Sequence, residues 1–135
     1  NFMEKNEVTE TPVFSILIAE DDLSNYLLFE IILKQDYRLY HANNGIEAIE
    51  LFKQYRPQLI LMDIKMPKMD GYEATTQIRK FSTTIPIIAV TAYAFPEDKK
   101  RILNSGFNDY LSKPIKFKEL RRKIQETLRS TYQNE

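Results

Sequence analysis

The segment "LILMDIKMPKMDG" (residues 59–71) places an acidic residue directly after a run of large apolar ones. The run 59–62 is typical of a strand that is covered on both faces of a sheet. Asp63 follows at once. Burying an unpaired carboxylate costs far more free energy than the burial of one apolar side chain contributes. Asp63 must therefore lie at an edge, be compensated by a cation, or have a chemical task.

Four other β-rich runs surround this one, and helical patterns separate all five. The runs occupy residues 14–19, 38–42, 59–62, 87–91 and 109–112. Apolar residues at helical spacing lie between and after them: Leu27, Leu28, Ile31 and Ile32; Ile46, Ile49 and Phe52; Ala74, Ile78 and Phe81; Ile102 and Leu103; Phe117, Leu120, Ile124 and Leu128. Parallel βαβ units place helices on both faces of one sheet. The sequence therefore predicts a doubly wound α/β domain with five parallel strands.

Composition excludes several classes of protein. The 135 residues are 43% hydrophobic and 28% charged, which suits one globular domain. Nineteen basic residues balance nineteen acidic ones, so no overall charge attracts nucleic acid or an anionic membrane. There is no cysteine for a disulfide or a thiolate metal site. No apolar stretch approaches the roughly 18 residues of a membrane span. We expect a domain without direct nucleic-acid binding or membrane contact.

Polar side chains follow the predicted strands. In doubly wound sheets ligands bind beyond the carboxyl ends of the strands, and the residues there are Glu20, Asp21, Asp22, Asp63, Thr91 and Lys113. If the first and third strands are neighbours, three carboxylates meet, and two like charges about 4 Å apart repel by roughly 4 kcal/mol at an effective dielectric of 20. Hard oxygen ligands without nearby His or Cys favour Mg²⁺ (or Mn²⁺). Asp22 itself is a helix-cap candidate.

The same residues suit phosphoryl transfer. A carboxylate can act as a nucleophile toward phosphorus when a metal and cations neutralise the phosphoryl oxygens. Asp63 would then form an aspartyl phosphate, Lys113 would act as a point charge on the phosphate, and the Thr91 hydroxyl would donate a hydrogen bond. The sequence thus gives Asp63 both a compensating metal and a chemical task.

The chain resembles the receiver domains of the two-component response-regulator family over about residues 13–130. The matching segments are "ILIAEDD" (16–22), "LILMDIKMPKMDG" (59–71), "IPIIAVTA" (85–92) and "DYLSKPI" (109–115). The resemblance implies a flavodoxin-like fold with strand order 2-1-3-4-5. It also implies a receiver domain at residues 13–132, which leaves residues 1–12 as a linker or expression remnant.

The resemblance implies functional roles for individual residues. It implies that Asp63 accepts a phosphoryl group from the phosphohistidine of a histidine kinase or a histidine phosphotransfer domain. Thr91 and Lys113 match the phosphoryl-binding residues, and Thr91 and Tyr110 match the switch pair. The implied metal ligands are Glu20, Asp21, Asp63 and the main-chain carbonyl of Lys65. The bond between Lys113 and Pro114 is similar to one that is cis in the family.

The segment "AEDDLSN" (19–25) resembles the receivers of hybrid sensor histidine kinases, because its acidic pair begins with Glu20 and Asn25 follows. Since the chain ends shortly after the last predicted helix, we expect a C-terminal receiver taken from such a kinase. We expect a cytoplasmic monomer or weak dimer, with a parent protein that can be membrane-anchored.

Other interpretations stay open. One is a phosphorylation-independent interaction module of the same fold. Another is an aspartate-nucleophile phosphohydrolase, which needs a second acid where this chain has Lys65. Whether the domain counts as an enzyme is also open, since it would catalyse at most its own phosphorylation and dephosphorylation. His41, the only histidine, is interpreted as a packing residue in a strand, and Lys65 and Tyr93 as residues that could crowd the phosphoryl group.

Overall fold

Five parallel strands form one sheet in the order that the sequence predicts. The computed structural model describes residues 13–92 and 95–133; residues 1–12, the predicted linker, and Tyr93 lie outside them. The strands are β1 (Ser15–Ala19), β2 (Arg38–Ala42), β3 (Leu59–Asp63), β4 (Ile87–Thr91) and β5 (Asp109–Ser112). Their order across the sheet is β2-β1-β3-β4-β5, which confirms the predicted fold class.

The helices begin shortly after the strands end, because polar side chains cap several of them. The helices are α1 (Leu23–Leu33), α2 (Gly45–Tyr55), α3 (Gly71–Arg79), α4 (Pro96–Leu103) and α5 (Phe117–Tyr132). Asp22 caps α1 by accepting the main-chain N–H groups of Ser24 and Asn25, as predicted. Asn44 and Asp70 cap α2 and α3 in the same way. None of the helices in the described residues is both long and apolar enough to cross a bilayer.

The sheet separates two apolar cores, because successive strand side chains point to opposite faces. One core packs against α1 and α5 and takes from the sheet Ile16, Ile18, Leu59, Leu61, Ile88 and Val90. The other packs against α2, α3 and α4 and takes Leu17, Ala19, Ile60, Met62, Ile87 and Ala89. The three central strands are buried along their whole length. Their continuous apolar sequences follow from this coverage on both faces.

The buried face of α1 differs from the predicted one. Of the four predicted anchors only Ile32 is buried, whereas Ile31 is 66% exposed and Leu27 and Leu28 are also exposed. The helix instead buries Tyr26, Phe29, Ile32 and Leu33. The prediction failed because α1 is apolar on nearly all sides, so its spacing fits two different faces. The predicted anchors Ile46, Phe81, Leu103 and Phe117 are likewise exposed, each near the end of a helix or just beyond it.

Arg79, at the end of α3, hydrogen-bonds to the two loops that precede β4 and β5. Its guanidinium donates to the main-chain carbonyls of Gly106 and Ile85 at 2.7 Å each, and to that of Ser82 at 3.2 Å. It also donates to Asn108 Oδ1 at 2.9 Å, and this oxygen in turn accepts the N–H of Ile87. One side chain therefore links the segments that lead into β4 and β5.

Candidate functional site

Three carboxylates meet at the carboxyl edge of the sheet, as the strand order requires. Ala19 pairs with Met62 in the β1–β3 ladder, so Glu20 and Asp63 come next in register. Glu20, Asp21 and Asp63 each offer an oxygen within 4.8 Å of the others. Glu20 and Asp63 are only 1% and 5% exposed, whereas Asp21 is open to solvent. The site is therefore anionic and partly enclosed.

Lys113 is the cation that the structure places among these acids. Its Nζ lies 3.0 Å from Asp63 Oδ2 and 3.3 Å from Glu20 Oε1. Burial alone would lower the pKa of Lys113, but the hydrogen bond and the charge of Asp63, together with Glu20, outweigh it and raise this pKa. The main-chain N–H of Lys113 also donates to Thr91 O at 2.8 Å, which fixes β5 beside β4 at this edge. Lys113 therefore stays charged at the site.

Glu20 shows that one lysine does not balance the three acids. Burial, and then the negative charge of Asp63, raises the pKa of Glu20 from 4.5 to about 7. The Asp22 N–H, 3.1 Å from Glu20 Oε2, and the charge of Lys113 act in the opposite direction without cancelling the shift. Glu20 Oε1 is buried and makes no hydrogen bond. A buried oxygen that has an ion pair with Lys113 but no hydrogen bond, in a cluster with excess negative charge, fits a hard divalent cation such as Mg²⁺.

The loop after β3 holds the second oxygen of Asp63. The main-chain N–H of Lys65 donates to Asp63 Oδ1 at 3.2 Å. Gly71 closes this loop by donating its N–H to Ile64 O at 2.8 Å, and a Cβ atom at Gly71 would collide with the Asp63 carbonyl oxygen. Glycine is needed there because of this close backbone approach.

Thr91 lies in the same cleft as the acids. It ends β4, is buried, and lines a cavity of about 260 Å³ together with Glu20, Asp21, Asp63, Lys65 and Lys113. The structure therefore brings together all the residues that were predicted from the sequence to bind the metal or the phosphoryl group. Asn25 also lines this cavity, together with Glu20 and Asp21, the acidic pair that follows β1.

Tyr110 lies apart from this group. It is half-buried on β5, where it pairs with Ala89, and its ring lies between two cations from different helices. Lys99 Nζ of α4 is 5.5 Å from the ring centroid and Lys123 Nζ of α5 is 5.4 Å from it. The switch role predicted for Tyr110 would therefore act on the surface formed by α4, β5 and α5.

Sequence reasoning missed a contact of His41. As predicted, this residue packs in a strand, and its ring stacks on Tyr26 with centroids 3.7 Å apart. Its Nε2 also lies 2.8 Å from the Glu20 main-chain oxygen. The signal that could have found this contact is the β1–β2 register, in which His41 pairs with Ile18, two residues before Glu20.

Comparisons with known proteins identify relatives of the chain. The sequence-family model named response regulator receiver domain matches residues 16–125 of this chain. The polar-differentiation response regulator DivK of Brucella anthropi is 41% identical over 104 residues, which are 75% of this chain and 85% of DivK. Two longer curated relatives are a transcriptional regulatory protein and a hybrid signal transduction histidine kinase, and the chain spans only 26% and 6% of their lengths.

Two solved structures bear on the site. The receiver domain of sensor histidine kinase PA1611 from Pseudomonas aeruginosa has a magnesium ion coordinated in its active site cleft. It is 38% identical, with a TM-score of 0.80, and the match covers 87% of this chain and 98% of that one. The Saccharomyces cerevisiae receiver domain of Ssk1, solved with the histidine phosphotransfer protein Ypd1, is 31% identical with a TM-score of 0.83. That match covers 93% of this chain and 97% of the other.

Proposed function

The chain belongs to the response regulator receiver domain family of two-component signalling, and we propose that Asp63 is its phosphoacceptor. The observation that carries this proposal is the bridge from Lys113 Nζ to Asp63 Oδ2 and Glu20 Oε1 at the enclosed end of β3. A carboxylate held by a lysine, beside further acids and a threonine hydroxyl, can both attack phosphorus and keep the product in place.

The transfer needs no base in the protein. An Asp63 carboxylate oxygen attacks the phosphorus of a phosphohistidine, the new P–O bond forms, and the N–P bond breaks. The donor imidazole leaves with the electron pair and takes up a proton from solvent. Lys113 and the Thr91 hydroxyl then bind phosphoryl oxygens, while the Lys65 N–H keeps the Asp63 side chain oriented.

Asp21, Asp63 and Glu20, with the Lys65 main-chain carbonyl, are the residues that would hold Mg²⁺ or Mn²⁺. The support is the raised pKa of Glu20 and its buried Oε1, which has an ion pair with Lys113 but no hydrogen bond. Together they indicate that negative charge exceeds positive charge at the site. A bound Mg²⁺ supplies the charge that neutralises the acids and the phosphoryl oxygens. The magnesium ion in the related PA1611 receiver supports the same choice of metal.

The phosphodonor would be a histidine kinase or a histidine phosphotransfer domain, docked on α1. This helix exposes an apolar stripe at helical spacing, made of Leu23, Leu27, Leu28 and Ile31. A donor domain built from helices can bury such a stripe against its own apolar face. The related Ssk1 receiver was crystallised with the phosphotransfer protein Ypd1, which supports this class of partner.

Phosphorylation would add about −1.5 to −2 charge at Asp63 and shift an equilibrium between two conformations. Thr91 and Tyr110 would couple this charge to the surface of α4, β5 and α5. The position of the Tyr110 ring, between Lys99 and Lys123 and close to solvent, is the inactive arrangement in this proposal.

Intact-mass measurement after incubation with Mg²⁺ and acetyl phosphate tests the proposal. We expect one phosphoryl adduct, which disappears in Asp63→Asn and in the presence of a chelator. Asp36→Asn is the matched control, because Asp36 is an exposed acid between α1 and β2. A phosphohistidine donor protein provides the second arm. The proposal is wrong if folded wild-type protein gains no adduct from either donor, or if Asp63→Asn gains one equally.

A further inference from the structure

The His41 side chain donates a hydrogen bond to the main chain of the acidic pair. Its Nε2 lies 2.8 Å from Glu20 O, and a carbonyl oxygen can only accept, so this nitrogen must carry the proton. The neutral Nε2–H tautomer and the imidazolium can both make the bond. The contact therefore exists whichever form His41 takes.

The Glu20 carbonyl needs this partner because it lies just beyond the strand ladder. The last β1–β3 pair is Ala19 with Met62, so β3 offers Glu20 no ladder hydrogen bond in this register. The Glu20 N–H donates to Ala42 O at 3.0 Å, and His41 Nε2 donates to the Glu20 carbonyl oxygen. The end of β2 thus supplies partners for both main-chain groups of a residue that is almost fully buried. A buried carbonyl without a donor would be costly.

The stack on Tyr26 fixes the direction from which His41 donates. The two rings are nearly parallel, with an interplanar angle of 7° and centroids 3.7 Å apart. Tyr26 is a buried residue of α1, so the imidazole lies between that helix and the end of β1. A rotation that tilts the imidazole out of this plane would break the stack and the hydrogen bond together.

We propose that His41 is a positioning residue that orients the peptide between Glu20 and Asp21, and through it both carboxylates, for Mg²⁺. The Glu20 carbonyl and the Asp21 N–H belong to one planar peptide unit. Fixing the carbonyl therefore fixes this peptide plane, and with it the position of the Asp21 Cα atom from which that side chain leaves the main chain. Partners that orient metal ligands in this way typically contribute about 10–100-fold in affinity, and an effect through the backbone should fall near or below that range. The inference rests on the function proposed above.

Two measurements test it, and the first needs no variant. Imidazole ¹⁵N spectra of the wild-type protein without metal, at a pH where His41 is neutral, should show the Nε2–H tautomer. Calorimetric titration with Mg²⁺ at the same pH should show about three- to tenfold weaker binding in His41→Phe, which keeps an aromatic ring but has no donor. His41→Gln, whose amide can donate from a similar position, should recover most of the affinity, whereas His41→Met should not.

Tyr40→Leu is the matched control. Tyr40 precedes His41 on β2 and stacks on Tyr55, away from Glu20, so its loss should leave Mg²⁺ binding unchanged. The Nδ1–H tautomer in wild type would overturn the proposal, as would wild-type affinity in folded His41→Phe. If His41→Phe does not fold, equal affinities of His41→Gln and His41→Met would overturn it instead.

The outcomes also separate this inference from the proposed function. Wild-type protein that binds Mg²⁺ but gains no phosphoryl adduct would refute the role of Asp63, and the His41 comparison would still be decided by the titrations. Wild-type protein that binds no Mg²⁺ would overturn the role of His41 together with the metal site.

Discussion

Glu20 should make the metal-free protein less stable as the pH rises toward neutrality. Its pKa is about 7 in the folded protein, whereas an ordinary glutamate has 4.5. Between these values the folded state keeps a proton that the unfolded state has lost, so the free energy of unfolding falls as pH increases. The full difference corresponds to about 3 kcal/mol at 1.36 kcal/mol per pKa unit, and this is an upper limit because part of the shift comes from the charge of Asp63.

The comparison of wild type with Glu20→Gln isolates this effect. The glutamine cannot ionise, so the difference between the two unfolding free energies should change across the window from pH 4.5 to 7 and level off above it. Urea unfolding followed by circular dichroism, with a chelator present, measures both proteins at each pH. The contributions of acids distant from Glu20 are the same in both proteins and cancel in the difference.

Saturating Mg²⁺ should recover the stability that wild type loses above this window, because a bound cation stabilises the ionised form of Glu20. Parallel pH curves for wild type and Glu20→Gln without metal would refute the reasoning. So would a wild-type curve that rises relative to the variant between pH 4.5 and 7, since the sign would then be reversed.

Substitutions at three residues other than the site carboxylates test other contacts by urea unfolding. Arg79→Met should cost about 3 kcal/mol, because it leaves three partly buried carbonyls without their donor. Arg122→Met, which removes only an exposed pair with Glu126, should cost less than about 0.5 kcal/mol. Equal costs would contradict the role of Arg79. Gly71→Ala should cost about 1–3 kcal/mol of stability, because the new methyl group collides with the Asp63 carbonyl oxygen. It should also lower the yield of the phosphoryl adduct at Asp63. An unchanged yield would show that this close approach does not position Asp63. Thr75→Val should be neutral or stabilising by up to about 1 kcal/mol because the buried hydroxyl makes no hydrogen bond, and Thr75→Ser, which keeps the hydroxyl and loses the methyl, should be destabilising. The opposite order would show that the Thr75 hydroxyl has a partner.

The strands and the convergence of the site were predictable because they depend on short-range patterns. All five β-rich runs became strands, with at most one residue of difference at an end. Once the strand order is known, the residues that follow β1, β3 and β5 must meet at one edge. The roles of Asp63, Thr91 and Lys113 remain predictions that the proposed experiments test.

The buried face of α1 and the contact of His41 were not predictable from the same patterns. A helix that is apolar all round gives no preference between its faces, so only packing against the sheet decides that Phe29 is buried and Ile31 is not. The bond from His41 to Glu20 depends on the register between β1 and β2, which a single sequence does not state. The raised pKa of Glu20 likewise depends on its burial and on the distance to Asp63.

The apolar stripe on α1 also has a calorimetric consequence. Its side chains are in contact with water in the free domain, so a helical partner that covers them would remove ordered hydration from that surface. Such an association should show a negative change in heat capacity, and its affinity should weaken on cooling rather than on addition of salt. Helix α5 carries five basic residues: Lys118, Arg121, Arg122, Lys123 and Arg129. These charges would affect chiefly how fast the partner associates at low ionic strength. The temperature dependence of the affinity would thus report on α1, and the salt dependence of the association rate on the neighbouring helix α5.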